Sequence, residues 1–280
     1  MKPIKPLEKP EKRQKIVDKH WPGVTKFGDG KFIFSQETSL ISNSELQIAF
    51  GFLDAVSKVI NLRDKLAKED LEKPQPFLPD GAWGLDYKNS IEVDGSIRNI
   101  HTSYNLLAEK DPNIIKKLRF YTEAFTGYQL ATLGLAASRP WISKMLPNNW
   151  DDVLGMLAGP PPPEVYQNIS IANQLPSTLR LSPPKKFAEV GWLFSDQIIN
   201  HDLLGYQQII ALMYENGIIE LLQERLSKSG VVKIIEIGGG YGALAYYLMK
   251  ILNFEVSYSL VDIPESLAFS SIYCGCLDMG

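Results

Sequence analysis

Hydrophobic positions recur at helical spacing between residues 42 and 68. Ser42 and Glu45 form a capping box, in which each side chain satisfies a backbone amide at a helix start. The apolar positions that follow predict an amphipathic helix to about Lys68: Leu46, Ala49, Phe50, Leu53, Val56 and Ile60. Upstream, Phe32 and Phe34 lie two residues apart and predict a short strand.

Two further helices are predicted between residues 111 and 157. Asp111-Pro112 places an acid at the cap position and proline at the first helical position, and the pattern behind it continues to about Ala137. A shorter helix is predicted over Trp150–Leu157. The prolines that begin at Gly159-Pro160 then predict an extended connection over residues 159–190.

Residues 200–229 carry the last helical pattern before the sequence changes character. Asn200 is a suitable cap, Gly217 is a weak point inside the pattern, and Ser229-Gly230 ends it. Residues 20–229 are therefore predicted to form a mainly helical N-terminal region. Residues 1–19 are basic and contain prolines, which is typical of a flexible tail.

After Gly230 the pattern predicts alternating strands and helices. The predicted elements are a strand at Val231–Ile237, a turn at Gly238–Gly242, a helix at Ala243–Leu252, a strand at Val256–Val261 and a helix that Pro264 opens, with a cap at Asp262 or nearby. This order is a β-α-β unit with the start of another helix. The predicted fold class is α/β, with residues 230–280 as a partial domain.

The segment IIEIGGGYGAL at residues 234–244 combines a strand end, a glycine turn and a helix start. Such a turn presents unpaired backbone amides and lets a ligand approach the chain closely. A dinucleotide-binding site would use Gly238, Gly240 and Ala243, with Asp262 for the ribose. A site for S-adenosylmethionine would use Glu236 and the turn glycines, again with Asp262 for the ribose hydroxyls.

Glu236 separates these two ligand classes. An acid just before the turn would repel the pyrophosphate of a dinucleotide, whereas S-adenosylmethionine carries a cationic amino group, a sulfonium and no phosphate. The acid therefore favours S-adenosylmethionine as the cofactor. NAD(P) remains the alternative, with the chain as an oxidoreductase fragment.

EIGGGYG followed by VDIPESLAF resembles the motif pair of the sugar O-methyltransferase family. The resemblance implies a helical N-terminal region followed by a Rossmann-like class I methyltransferase fold. It also implies an S-adenosylmethionine-dependent methyltransferase that acts on a sugar hydroxyl. The cofactor-binding residues that it implies are Glu236, Gly238, Gly239, Gly240, Gly242 and Asp262.

A class I core has seven strands, and residues 231–280 hold only two predicted strands. We therefore expect a truncated chain that carries the donor half of the site, with the acceptor half lost or on another chain. Such a chain is expected to be inactive or poorly soluble by itself. The catalytic base is not predicted, and a third interpretation is a non-catalytic module for helical interactions.

Composition and charge limit the possible binding partners and the cellular location of the protein. The net charge of −3 without a basic stripe argues against nucleic acid, and no apolar run approaches the ~20 residues of a membrane span. No secretory signal is visible, so a cytoplasmic location is expected, and the two cysteines suggest thiols and no metal site.

His201 and Tyr206 are candidates for ligand contact. The tryptophans are expected in the core, and His20 and His101 have no placed partner.

Overall fold

The computed structural model describes residues 31–34, 41–69, 163–187, 190–194, 197–277 and 279. They form a mixture of helices and strands, which confirms the α/β class at that level. The helices are α1 (Asn43–Glu69), α2 (Pro163–Gln174), α3 (His201–Glu215), α4 (Ile218–Ser229), α5 (Ala243–Ile251) and α6 (Pro264–Cys276). The strands are β1 (Lys31–Phe34), β2 (Val190–Phe194), β3 (Gln197–Ile199), β4 (Val232–Ile237) and β5 (Val256–Val261).

The described residues belong to two compact units that are not consecutive in sequence. One unit holds β1 and the residues from α2 to Leu221, and the other holds α1 and the residues from Leu222 onwards. The sequence had predicted successive domains with a boundary near residue 230. The predicted tail and the helices predicted at 111–137 and 150–157 lie outside the described residues, as do His20, His101 and the tryptophans other than Trp192.

In the first unit, three antiparallel strands form a sheet in the order β1-β2-β3. The strand predicted at Phe32 and Phe34 is confirmed, and Phe32 pairs with Trp192. Trp192 is almost fully buried, as expected of a core tryptophan. Strands β2 and β3 were not predicted, although the alternation of Trp192, Phe194 and Ile198 with other residues is a strand pattern.

Two predictions in this part of the chain are wrong. Residues 159–190 were expected to be extended, yet Pro163–Gln174 is a helix. Proline is compatible with the first helical turn, and Val165, Ile169 and Ala172 supply an apolar face that is buried. The helix predicted over 200–229 is interrupted at Gly217, which has a φ of +71° and separates α3 from α4. Asn200 caps α3 as predicted, because its side chain accepts the Leu203 amide at 2.9 Å.

In the second unit, β4 and β5 are parallel neighbours with α5 between them in sequence. The predicted β-α-β order is therefore observed, with strand bounds within one residue of the prediction. The paired register joins Val232 to Val256 and Ile237 to Val261. Because the strands are parallel and in this register, the loops after β4 and after β5 leave the sheet at the same edge.

Helix α1 begins at the predicted capping box and packs along α6. The Ser42 amide donates to the Glu45 carboxylate at 2.8 Å, and the Glu45 amide donates to the Ser42 hydroxyl at 3.3 Å. Further along, Arg63 Nη1 donates to both carboxylate oxygens of Glu265 at 2.9 and 3.1 Å. Gly275 allows the closest approach, since a Cβ there would lie 2.7 Å from the Ala49 Cα. Helix α1 thus belongs to the same unit as the β-α-β segment.

One face of the β4–β5 sheet is exposed. Ile235 and Ile237, which point to the same face of β4, are 70% and 85% exposed, and Val261 on β5 is 49% exposed. Parallel strands are usually buried on both faces.

None of the described helices is long and apolar enough to cross a membrane.

Candidate functional site

The glycine turn after β4 is built on backbone conformations that favour glycine. Gly238, Gly240 and Gly242 have φ values of +78°, +53° and +92°, a region that L side chains avoid. The Gly238 amide donates to the Val261 carbonyl at 2.8 Å, and the Gly242 amide donates to the Gly239 carbonyl at 2.9 Å. The first bond continues the strand ladder into the turn, and the second closes the turn on itself.

At Gly239 and Gly242, close packing leaves no space for a side chain, whatever the φ value. A Cβ at Gly239 would overlap the Leu260 side chain, and a Cβ at Gly242 would lie 2.8 Å from Cys274 Sγ. Gly238 and Gly240 have open space around them, so only their φ values require glycine. The run of glycines therefore combines close packing against β5 and α6 with a backbone that faces open space.

Helix α5 starts directly at the turn with no side-chain cap. Gly242 is its N-cap residue, and the Tyr246 amide makes the first helical bond to the Gly242 carbonyl at 3.1 Å. The amides of the first helical turn consequently lack intrahelical acceptors. A helix start of this kind presents donors and a partial positive charge next to the glycine turn.

Asp262 connects the end of β5 to the glycine turn. Its Oδ2 accepts the Gly240 amide at 2.8 Å, and its Oδ1 accepts the Ile263 amide at 2.7 Å. The two predicted site elements, the turn and the second acid, are thus in direct contact across 22 residues of sequence. The N-cap of α6 is Ile263, next to Asp262 as predicted, and it makes no side-chain cap.

The carboxyl group of Glu236 lies close to both β5 and the glycine turn. Its Oε2 accepts the Tyr258 hydroxyl at 2.9 Å, and its carboxyl group would lie 3.5 Å from a Cβ at Gly239. Burial raises the pKa of Glu236, the charge of Asp262 raises it further, and the Tyr258 hydrogen bond partly opposes both. The acid is thus partly buried between Tyr258 and the glycine turn.

Two residues near the turn were missed by the sequence analysis. Tyr258 lies on β5 beside Glu236, and burial together with the Glu236 charge raises the pKa of its phenol. Cys274 lies against Gly242, and burial with the Glu236 charge raises the pKa of its thiol to about 12. Both groups are therefore neutral at physiological pH. The alternation along β5 was a usable signal for Tyr258, whereas Cys274 depends on how α6 packs.

The remaining candidate residues are not shown to contact the glycine turn as Asp262 does. His201 and Tyr206 lie in α3, which belongs to the first unit, whereas the glycine turn belongs to the second. Both cysteines are thiols, and Cys276 is fully buried. Within the described residues, no group of three or more His, Cys, Asp or Glu side chains is arranged to hold a metal ion.

Comparison with known proteins gave no match to this chain among family models, curated proteins or solved structures. The inferences that follow therefore depend on the geometry of the site and on the motifs alone.

Proposed function

We propose that the turn between β4 and α5 binds S-adenosylmethionine, and that the protein is an S-adenosylmethionine-dependent O-methyltransferase acting on a sugar hydroxyl. The observation that carries the proposal is the contact between Asp262 and the glycine turn. It combines a carboxylate at the end of β5 with a helix start after β4, at the edge where parallel sheets bind nucleosides.

Asp262 is suited to the ribose hydroxyls of the cofactor. Its two backbone hydrogen bonds, to the amides of Gly240 and Ile263, hold the carboxylate in one orientation. Each carboxylate oxygen can still accept a second hydrogen bond, so the acid can bind hydroxyls without releasing the turn. The open space at Gly238 and Gly240 gives a ligand access to the backbone there.

Glu236 has a supporting role in this proposal. Its carboxyl group lies close to Gly239 and accepts a hydrogen bond from Tyr258, which places an acid next to the turn. When ionised, that acid disfavours a phosphate-containing ligand and favours a cationic one. Fold-level similarity to dinucleotide-binding units keeps an NAD(P)-dependent oxidoreductase as the second candidate, because Gly238, Gly240 and Asp262 also suit that ligand.

The cofactor would supply an activated methyl group on a sulfonium, for transfer in line to the acceptor oxygen. The residues described here would bind and orient the donor, which provides proximity and alignment. Transfer to a hydroxyl also needs a general base. The sugar as acceptor comes from the motif resemblance.

Isothermal titration calorimetry with S-adenosylmethionine, S-adenosylhomocysteine and NAD tests the proposal. The two sulfur ligands should bind, and Asp262→Ala should weaken both by roughly tenfold or more, because charge-assisted hydrogen bonds are lost. Glu255→Ala is a matched control, since Glu255 is an exposed acid just before the opposite end of β5. Binding of NAD alone would select the oxidoreductase, and equal effects of both substitutions would reject the assigned site.

A further inference from the structure

Residues along β4 and β5 alternate between the exposed face of their sheet and a more buried face. Ile235 and Ile237 lie on the exposed face, so Glu236 between them lies on the more buried one. Tyr258 lies on the more buried face as well, because it pairs with Ile234, two residues before Glu236. Glu236 and Tyr258 are therefore diagonal neighbours on adjacent strands.

The hydrogen bond between these two side chains places one carboxylate oxygen at the glycine turn. The Tyr258 hydroxyl donates to Glu236 Oε2 at 2.9 Å. The same oxygen lies 3.5 Å from the position of a Cβ at Gly239. A free glutamate side chain samples several rotamers, and a partner is needed to keep it in one of them. Tyr258 thus holds the acid at the turn.

Two acids lie next to this turn without a cation between them. Asp262 accepts the Gly240 amide through Oδ2, and its charge raises the pKa of Glu236. In the part of the chain that the structure describes, neither acid forms an ion pair with lysine, arginine or histidine. A phosphate placed here would add a further negative charge, whereas both acids would attract a cation. The charges therefore favour a positively charged ligand.

Tyr258 also influences the charge of Glu236. Burial and the charge of Asp262 raise the pKa of this acid, and the hydrogen bond from Tyr258 lowers it. Cys274 on α6 interacts electrostatically with Glu236 as well, and burial with the Glu236 charge raises the pKa of its thiol to about 12, so the thiol stays neutral. Tyr258 is therefore the neighbour that favours the ionised form of Glu236.

We propose that Tyr258 determines the charge selectivity of the glycine turn, because it positions the Glu236 carboxylate next to Gly239. This inference rests on the proposed donor site and deepens it. The turn prefers a ligand with a positive charge on sulfur, the sulfonium of S-adenosylmethionine, over a similar ligand with neutral sulfur. Tyr258 acts through Glu236 and is therefore a positioning residue, so its substitution should change selectivity only while Glu236 is present.

Calorimetric titration of the full chain with S-adenosylmethionine and S-adenosylhomocysteine, over a pH range that spans the titration of Glu236, tests this inference. The two ligands share their amino and carboxyl groups, so the ratio of their dissociation constants isolates the methyl group and its charge. Preference for S-adenosylmethionine should rise roughly threefold or more as pH increases through the pKa of Glu236, because the ionised acid attracts the sulfonium. Tyr258→Phe should move this rise to higher pH, since the hydrogen bond that lowers the pKa is lost.

Glu236→Gln should abolish the pH dependence of the ratio, and Tyr258→Phe added to it should have no further effect. Tyr246→Phe is the matched control and should behave as the unsubstituted chain, because Tyr246 is also half-buried and burial alone raises its pKa.

Binding of both ligands with an unchanged pH profile in Tyr258→Phe would overturn the inference and leave the donor site standing. An effect of Tyr258→Phe that persists in the Glu236→Gln chain would also overturn it, since the tyrosine would then act by another route. Binding of neither ligand would reject the donor site itself, and this inference with it.

Discussion

The ion pair between Arg63 and Glu265 is the clearest energetic link between α1 and the site-bearing segment. Arg63 is 9% exposed and Glu265 only 1% exposed, and the shortest separation of their charged atoms is 2.9 Å. Arg63→Met retains most of the apolar stem and removes the guanidinium. The Glu265 carboxylate would remain buried without this cation.

The expected cost follows from that burial. At an effective dielectric constant of ~20, two charges 2.9 Å apart attract by roughly 6 kcal/mol, and the desolvation of both ions offsets part of this. Removing one partner of a buried pair typically costs about 3–5 kcal/mol. We therefore expect Arg63→Met to lower the free energy of unfolding by about 3–5 kcal/mol.

Urea unfolding followed by circular dichroism provides the assay, with a double-mutant cycle to isolate the pair. Arg63→Met combined with Glu265→Gln should cost clearly less than the sum of the two single substitutions. Lys65→Met is the control on the same helix, because the Lys65–Glu69 pair is exposed and should contribute at most about 1 kcal/mol. A loss below about 1 kcal/mol for Arg63→Met, or additive effects in the cycle, would refute the reasoning.

Three further predictions use other features of the second unit. Gly275→Ala should cost about 1–3 kcal/mol in urea unfolding, since its Cβ meets the backbone of α1, whereas Gly51→Ala, which has open space, should gain up to about 1 kcal/mol. Burial raises the pKa of Glu236 above its ordinary value of 4.5, so the stability linked to its protonated form is present at low pH and lost as pH rises through the raised pKa. Glu236→Gln should therefore raise the urea midpoint at pH ~7 but not at pH ~4, and an equal gain at both would contradict this. Ile237→Thr should lower light scattering and binding of a hydrophobic dye while leaving stability within about 0.5 kcal/mol, because Ile237 is 85% exposed.

The local patterns in the sequence predicted the parts of the site that depend on neighbouring residues. The capping box at Ser42, the strand over residues 256–261 and the glycine turn all depend on short-range geometry, and each was placed within a residue or two. Asp262 and the glycine turn were predicted to serve one ligand site, and the structure brings them into contact because parallel strands in register end at the same edge. These features require no knowledge of how distant helices pack.

The parts that sequence analysis missed depend on tertiary packing. The helix at Pro163–Gln174 was hidden by the proline run before it, although its buried apolar face stabilises it in the fold. Strands β2 and β3 are short, and their pairing with β1 joins residues far apart in sequence. Both cases follow the general rule that packing outweighs local propensity when a segment has an apolar face to bury.

The sequence of α6 partly predicts that another helix, here α1, packs against it. Nearly all of its residues from Glu265 to Cys276 are buried, including Ser266, Ser270 and Gly275. A helix that is apolar or small on every side needs cover on more than one face, and a two-stranded sheet cannot supply that. The sequence of α6 therefore calls for a second covering helix, but several amphipathic helices of the chain would satisfy it equally. Two features of α1 suit it to this position. Arg63 pairs with Glu265, and the small residue Ala49 lies against Gly275. Both matches depend on how the two helices are aligned, and that alignment is set by their packing and not by local sequence.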